Sequence, residues 1–433
     1  MVGNTFPYTI HDWRKDIELA HEHGFDGFAL NVGKEQWQFD RVKDAFEAAR
    51  YSRLDFRLFM SFDMASIPST SKNDVSHLRQ YLVTFANHSH YMSYRNGAIV
   101  STFAGESSFF GFGEGRLDEA WGYVKGDLER SIGRAIHFIP SFFIDPARYP
   151  SLPCMDGYFH WNGGWPIHLT PSSPRSEISQ PKLDSDTPHL HHLGGKTYMA
   201  AVSPWFFTHY GKDSWNKNWI YRGDDHLLVR RWVHLMSIRN QVDIVQVISW
   251  NDYGESHYVA PPRGAQPNSE AWVNTCPHDA WLSLNAYFIR AFKRGWYPHQ
   301  RPEEAEGPGE RDTIWMWARP HTKDVVAQHD PVGKPDGWQL ADDLFWVVAL
   351  ATHPSLLTIS SPGEPHSQSE SHTRTYNLVQ PGIHIFSHPM VAGRGMKAEM
   401  IRDGRHVAVC DPAGFRFESR PKIYNFNAFV CQS

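Results

Sequence analysis

Apolar positions recur at helical spacing through Trp13, Ile17, Leu19 and Ala20, and Gly24 stops the run. That pattern predicts an amphipathic helix ending in a turn. The next segment, G-F-D-G-F-A-L-N-V-G, loses the helical period and becomes nearly continuous in apolar residues, as a strand covered on both faces does. The alternation then repeats. Helices are predicted over 37–51, 74–88 and 117–132, each followed by an apolar strand, at 56–63, 97–105 and 135–143. Further strands are predicted at 156–161, 197–205 and 243–251, with helices over 225–240 and 281–295. The polar, proline-rich stretch 162–195 between two of these strands reads as a long loop, and loops of that size in compact domains tend to carry function.

Strands alternating with helices argue for a parallel sheet covered by helices, here with seven countable strands. The expected fold class is α/β, a (β/α)8 TIM-type barrel whose first strand would have to lie in the opening residues, so that the barrel is either started very late or truncated. Around 299–312 the chain turns rich in Pro, Gly and Glu, which predicts a linker. Beyond it, T-I-W-M-W-A, F-W-V-V-A-L-A, S-L-L-T-I-S, G-I-H-I-F-S, H-V-A-V-C and Y-N-F-N-A-F-V are short β-type runs separated by turn residues. The expected organisation is a barrel over 1–300, a linker over 301–312 and an all-β, sandwich-like domain over 313–433.

Composition narrows the chemistry. The net charge is -5 with 21% charged residues, and the Lys and Arg are scattered, so neither a nucleic-acid groove nor an anionic membrane surface is expected as partner. No run reaches the ~18 apolar residues of a membrane span, and no basic-then-apolar export signal opens the chain. Aromatics make up 14%, with 17 Trp, which suits stacking on an amphipathic ligand such as carbohydrate. The four cysteines, Cys154, Cys276, Cys410 and Cys431, form no C-x-x-C pair; a Cys410–Cys431 bridge is preferred, with four reduced thiols the competing reading.

In an α/β barrel, catalytic groups sit at the C-terminal strand ends. Those ends supply Asn31, Asp63, Glu106, Asp145, His160, Trp161, Trp205, and then Trp250, Asn251, Asp252, Tyr253 and Glu255. Acids, amides and aromatics together are what a sugar cleft needs, rings for the apolar faces and polar groups for the hydroxyls. Glycoside hydrolysis requires two carboxyls, one protonated to release the leaving oxygen and one ionised to activate water or attack carbon. Within W-N-D-Y-G-E-S, Asp252 and Glu255 are the expected pair, with Gly254 read as the residue that bends the chain between them. Asp63 is a third catalytic candidate, and the remaining strand-end residues are expected to bind substrate. Glu255 is read as the acid, its affinity for the proton raised by an ionised Asp252, and Asp252 as the base.

The segments M-V-G-N-T-F-P-Y-T, D-I-E-L-A-H-E-H-G-F-D-G-F-A-L-N-V-G, F-R-L-F-M-S-F-D-M and W-N-D-Y-G-E-S resemble, in that order over residues 1 to about 300, the fungal α-1,3-glucanases (mutanases) of glycoside hydrolase family 71. The resemblance implies endo-hydrolysis of α-1,3-glucan with inversion, a barrel followed by a β-domain, Asp252 and Glu255 as the essential acids, no cofactor, and a secreted or cell-wall location. Against that location stands the lack of an export signal, which reads as a truncated or an intracellular chain; a monomer is expected. Two other readings compete: a non-catalytic carbohydrate-binding protein on the same fold, and a glycosidase of another α-glucan linkage. The histidines of P-H-L-H-H-L-G-G, among them His189, His191 and His192, lack a metal-ligand spacing and read as solvated loop residues, so no metal is expected.

Overall fold

A computed structural model describes residues 1–296, 311–363 and 372–433. The chain divides into two compact units. The first comprises 1–164, 183–202 and 238–247; the second comprises 165–182, 203–237 and 248–433.

The first unit is built on parallel strands. β1 (Gly27–Val32), β2 (Arg57–Asp63), β4 (Gly97–Phe103) and β5 (Ile136–Ser141) pair in parallel in that order, and β3 (Ser93–Tyr94) folds back antiparallel on β4. β6 (Gly157–His160), β7 (Thr197–Val202) and β10 (Ile244–Val247) form a second parallel run. Asp156, at the entry to β6, joins the two runs: its N–H donates to Phe138 O at 2.9 Å, and its carboxylate accepts from Phe138 N at 2.7 Å. Seven parallel strands in chain order, alternating with helices, are the arrangement of a (β/α)8-type barrel. Residues Val2–Thr5 form a 3-10 turn, so the described residues hold seven of its strands.

The helices lie where the periodicity predicts them. Helix Ile10–Glu22 is started by Thr9 and Asp12, whose side chains and backbone amides satisfy each other in a capping box, and it buries Trp13, Ile17 and Ala20 along one stripe. Helices Trp37–Ser52, Val75–Phe85 and Leu117–Ile132 follow the expected runs to within a few residues. The predicted loop 162–195 holds two short helices, Arg175–Ser179 and Asp186–His192. His189 on the latter is a correction to the solvated reading: it is buried, its Nδ1 meets Tyr149 Oη at 2.7 Å, and burial pulls its pKa down to about 4.

The second unit contains the β8 (Phe207–His209) and β9 (Asn218–Ile220) hairpin and two four-stranded antiparallel sheets. One sheet orders β15 (Gly382–Pro389), β12 (Leu344–Ala351), β11 (Thr313–Ala318) and β18 (Phe429–Gln432); the other orders β14 (His372–Leu378), β13 (Ser355–Ser361), β16 (Lys397–Arg402) and β17 (Arg405–Cys410). Ile314, Met316, Phe345 and Val347 from the first pack with Leu357, Ile359, Ala398 and Met400 from the second into one core, the all-β sandwich the sequence predicts. The expected linker lies almost wholly outside the described residues.

The preferred Cys410–Cys431 bridge is not formed. Both are thiols, with their Sγ atoms 3.3 Å apart across the facing edge strands β17 and β18. The Cys410 contact and burial push the Cys431 thiol well up, so oxidised glutathione is expected to join the pair slowly, as the strands open, the contact being already made. In the loop-entropy model, a cross-link closing a loop of this length contributes about 3 kcal/mol, enough to raise Tm by a few degrees. Thiol titration in denaturant checks this: two thiols should disappear on oxidation, and recovery of all four would refute it. Cys276 is fully buried, and burial pushes its thiol up to about 12, which leaves it unreactive.

Candidate active site

The acid pair sits on a closed loop of the second unit. Ser249 N donates to His257 O at 2.7 Å, Val259 N to Ser249 O at 3.0 Å and Ala260 N to Trp250 O at 3.0 Å, so both ends of the segment are tied together. At the tip, Ser256 N returns to Tyr253 O at 3.0 Å. The left-handed residue of this turn is Ser256, at φ 59°, and not Gly254. Gly254 is required for another reason, which is its contact with a ring: a Cβ there would fall on Tyr210 Oη and lie 2.9 Å from Tyr210 Cζ. Phe207 N on β8 donates to Glu255 O at 3.1 Å, docking the loop on the hairpin.

The side chains of Asp252 and Glu255 are 15% and 25% exposed, and one carboxylate oxygen of each lies within 4.8 Å of the other and of His257. Their surroundings differ. Glu255 takes Lys217 Nζ at 3.1 Å on one oxygen and His257 Nε2 at 3.2 Å on the other. His257 Nε2 stands 3.8 Å from Asp252, beyond hydrogen-bond reach. Burial alone would raise Glu255, but the hydrogen bonds and charges of His257 and Lys217 outweigh it and hold the carboxyl at about 2. Burial, followed by the neighbouring Glu255 charge, pushes Asp252 above its ordinary value. Asp252 is therefore the carboxyl placed to hold a proton and Glu255 the one placed to stay ionised, the reverse of the roles read from sequence.

The donor atoms of Asp252, Glu255 and His257 are close enough for one cation to bridge, but the Lys217 ammonium already occupies that electrostatic role at Glu255. His257 is 2% exposed, its Nδ1 meets Ser249 Oγ at 2.9 Å, and its ring lies 5.5 Å from Trp165 and 5.8 Å from Phe206. Lys217, Ser249, Tyr210 and His257 were not singled out in the sequence. His257 had a visible signal, standing two residues after Glu255 in G-E-S-H; Lys217 reaches the site through the β8–β9 pairing, which no local pattern announces.

Of the other predicted site residues in this unit, Trp205 and Tyr253 are corrected to core positions, 3% and 1% exposed, with no ring face left for a sugar. Trp205 gives its indole N–H to Phe426 O, and Tyr253 Oη accepts from Arg263 N. Asn251 is buried and Trp250 half-buried beside the acids. In the first unit, Asn31 donates to Ser61 Oγ at 3.2 Å, while Asp63, half-buried at the end of β2, accepts from Ala65 N at 3.1 Å. Glu106 accepts from Phe143 N, Asp145 caps the turn beginning at Pro146, and His160 Nε2 meets Ser185 Oγ at 3.0 Å. Trp161, half-buried, packs edge-on to Phe103.

The model of glycosyl hydrolase family 71 matches residues 1–433. The chain is 33% identical to a glucan endo-1,3-alpha-glucosidase of Schizosaccharomyces pombe, over 99% of this chain and 92% of that protein. It is 31% identical to a mutanase of Penicillium rubens, over 99% of this chain and 86% of that protein. An ascus wall endo-1,3-alpha-glucanase of Schizosaccharomyces pombe is 30% identical over 84% of this chain and 80% of that protein.

Proposed function

The chain belongs to glycosyl hydrolase family 71, and from that membership we propose that it hydrolyses internal α-1,3-glucosidic bonds of α-1,3-glucan, with Asp252 and Glu255 as its acid and base. The observation that supports this most directly is the unequal setting of two facing carboxyls, one raised by burial and one held ionised by Lys217 and His257. Pairs of carboxyls whose environments push their proton affinities apart are how one site runs acid and base chemistry together. Asp252 gives its proton to the glycosidic oxygen as the C1–O bond breaks. Glu255 takes a proton from the water whose oxygen bonds to C1. The enzyme acts as a monomer at the cell wall, its catalytic barrel over 1–300 and its β-domain over 313–433. Among the described residues, no helix is long and apolar enough to cross a membrane.

Inversion is the stereochemistry that the sequence resemblance carries. A second reading is retention. Retaining carboxyl groups stand about 5–5.5 Å apart and inverting ones roughly 6.5–9.5 Å, to admit water. Here one oxygen of each acid lies within 4.8 Å of the other, which sets the two groups close. Proton NMR of products released in the first minutes from α-1,3-linked oligosaccharides separates the two. The β-anomer is expected first; early accumulation of the α-anomer would establish retention, with Glu255 as nucleophile. Incubation with insoluble α-1,3-glucan should release a ladder of soluble oligosaccharides. Binding without release would instead identify a carbohydrate-binding protein, and release only from another α-glucan would move the linkage.

A further inference from the structure

We propose that His257 is the positioning residue that makes Glu255, rather than Asp252, the base of the pair, its ring anchored on Ser249 and aimed at Glu255. The inference rests on the two-carboxylate reading above and adds what decides between the two acids. Asp252 N donates to Ser249 Oγ at 2.8 Å. Ser249 Oγ also meets His257 Nδ1 at 2.9 Å and anchors the ring by that nitrogen. Nε2 faces Glu255 Oε2 at 3.2 Å, where the carboxylate accepts and the ring N–H donates, and stands off Asp252 at 3.8 Å. With one ring nitrogen anchored on Ser249 and the other on the carboxylate, the aim of the ring is fixed from both sides.

The ring has little freedom to aim elsewhere. It is 2% exposed and packs against Trp165 and Phe206. The charged or titratable groups around Glu255 are Lys217, from the β8–β9 hairpin, Asp252 and His257, from its own loop, and the phenols of Tyr210 and Tyr221, next to the hairpin strands. Of the two groups that bond the Glu255 carboxylate, Lys217 is 45% exposed, so water screens its charge, whereas His257 acts from the buried side. Losing His257 therefore removes the less screened of these two interactions and leaves, among the described residues, Lys217 to oppose the burial of Glu255.

The experiment is the pH dependence of kcat/KM for His257→Gln in the full chain on soluble α-1,3-linked oligosaccharides. The expected result is a kcat about tenfold or more below wild type, with KM little changed and the acid limb moved up by one pH unit or more, toward the ordinary Glu value of about 4. A loss of kcat with the acid limb unmoved would overturn the proposal and leave His257 a packing residue. Should His257→Gln not fold, Ser249→Ala keeps the ring and removes its anchor; a smaller shift in the same direction is expected, and an unmoved limb refutes the proposal equally. Failure of the underlying reading is distinguishable, because in that case Asp252→Asn and Glu255→Gln would keep wild-type turnover whatever His257→Gln does.

Discussion

Asp252→Asn and Glu255→Gln are each expected to lower turnover of α-1,3-glucan by about a thousandfold, a loss of about 4 kcal/mol of transition-state stabilisation, with the fold intact by circular dichroism. Both changes are nearly isosteric, so the loss reports proton chemistry and not packing. The two variants separate on rescue. Removing the base as Glu255→Ala opens a space beside C1 where azide can form the C1–N bond while Asp252 still protonates the departing oxygen, so azide should restore turnover and yield a glycosyl azide. Asp252→Ala lacks the acid, gains nothing from azide, and should recover only on substrates whose leaving group departs without a proton. Azide rescue of Asp252→Ala instead would return the roles to those read from sequence. The pH profile carries the same assignment. The base must be ionised and the acid protonated, so activity persists in acid down to where Glu255 takes a proton, at about 2, and falls as pH rises through the raised Asp252 value.

That two acids stand close together was legible in the chain, but their unequal settings were not. W-N-D-Y-G-E-S announces two acids three apart, and a pairwise argument makes the longer Glu255 the proton holder because Asp252 lies beside it. What reverses this is a lysine 38 residues upstream and a histidine whose aim depends on Ser249, both tertiary facts. The same division runs through the fold. Buried parallel strands such as β2 and β4 stand out as apolar runs because both faces are covered. β14 and β16 escaped notice, since H-T-R-T-Y-N-L is exposed along almost its whole length and K-A-E-M-I-R is interrupted by charge. Strands whose faces meet water carry little hydrophobic signature, and their pairing is settled by neighbours distant in sequence. Trp205 failed as a candidate for the complementary reason: an aromatic at a strand end looks the same in sequence whether its face meets a sugar or, as here, the core.

Gly254→Ala is expected to lower kcat about a hundredfold, more than its single added methyl would suggest. The sequence reading gave this glycine a conformational role, but its φ is not in the left-handed region, and Ser256 supplies the turn. The constraint is steric. An alanine Cβ would meet the end of the Tyr210 ring head-on, at its Oη, 2.9 Å from Cζ and 3.3 Å from Cε2. That ring cannot swing aside cheaply, being held edge-on by Trp215 at 4.6 Å and Trp272 at 4.9 Å. The loop must yield instead, and it yields at the residue between Tyr253 and Glu255, so the displacement falls on the two carboxylates proposed as acid and base. Overpacking of this kind costs about 1–3 kcal/mol in stability, whereas a shift of about 1 Å in a reacting group costs about a hundredfold in rate; the rate should therefore suffer more visibly than Tm. Adding Tyr210→Phe removes the Oη contact and leaves the 2.9 Å approach of Cζ, so the double variant should regain part of the lost kcat. Wild-type kcat and Tm in Gly254→Ala would show that Tyr210 gives way freely, and equal kcat in the single and double variants would show that the ring is not what the glycine accommodates.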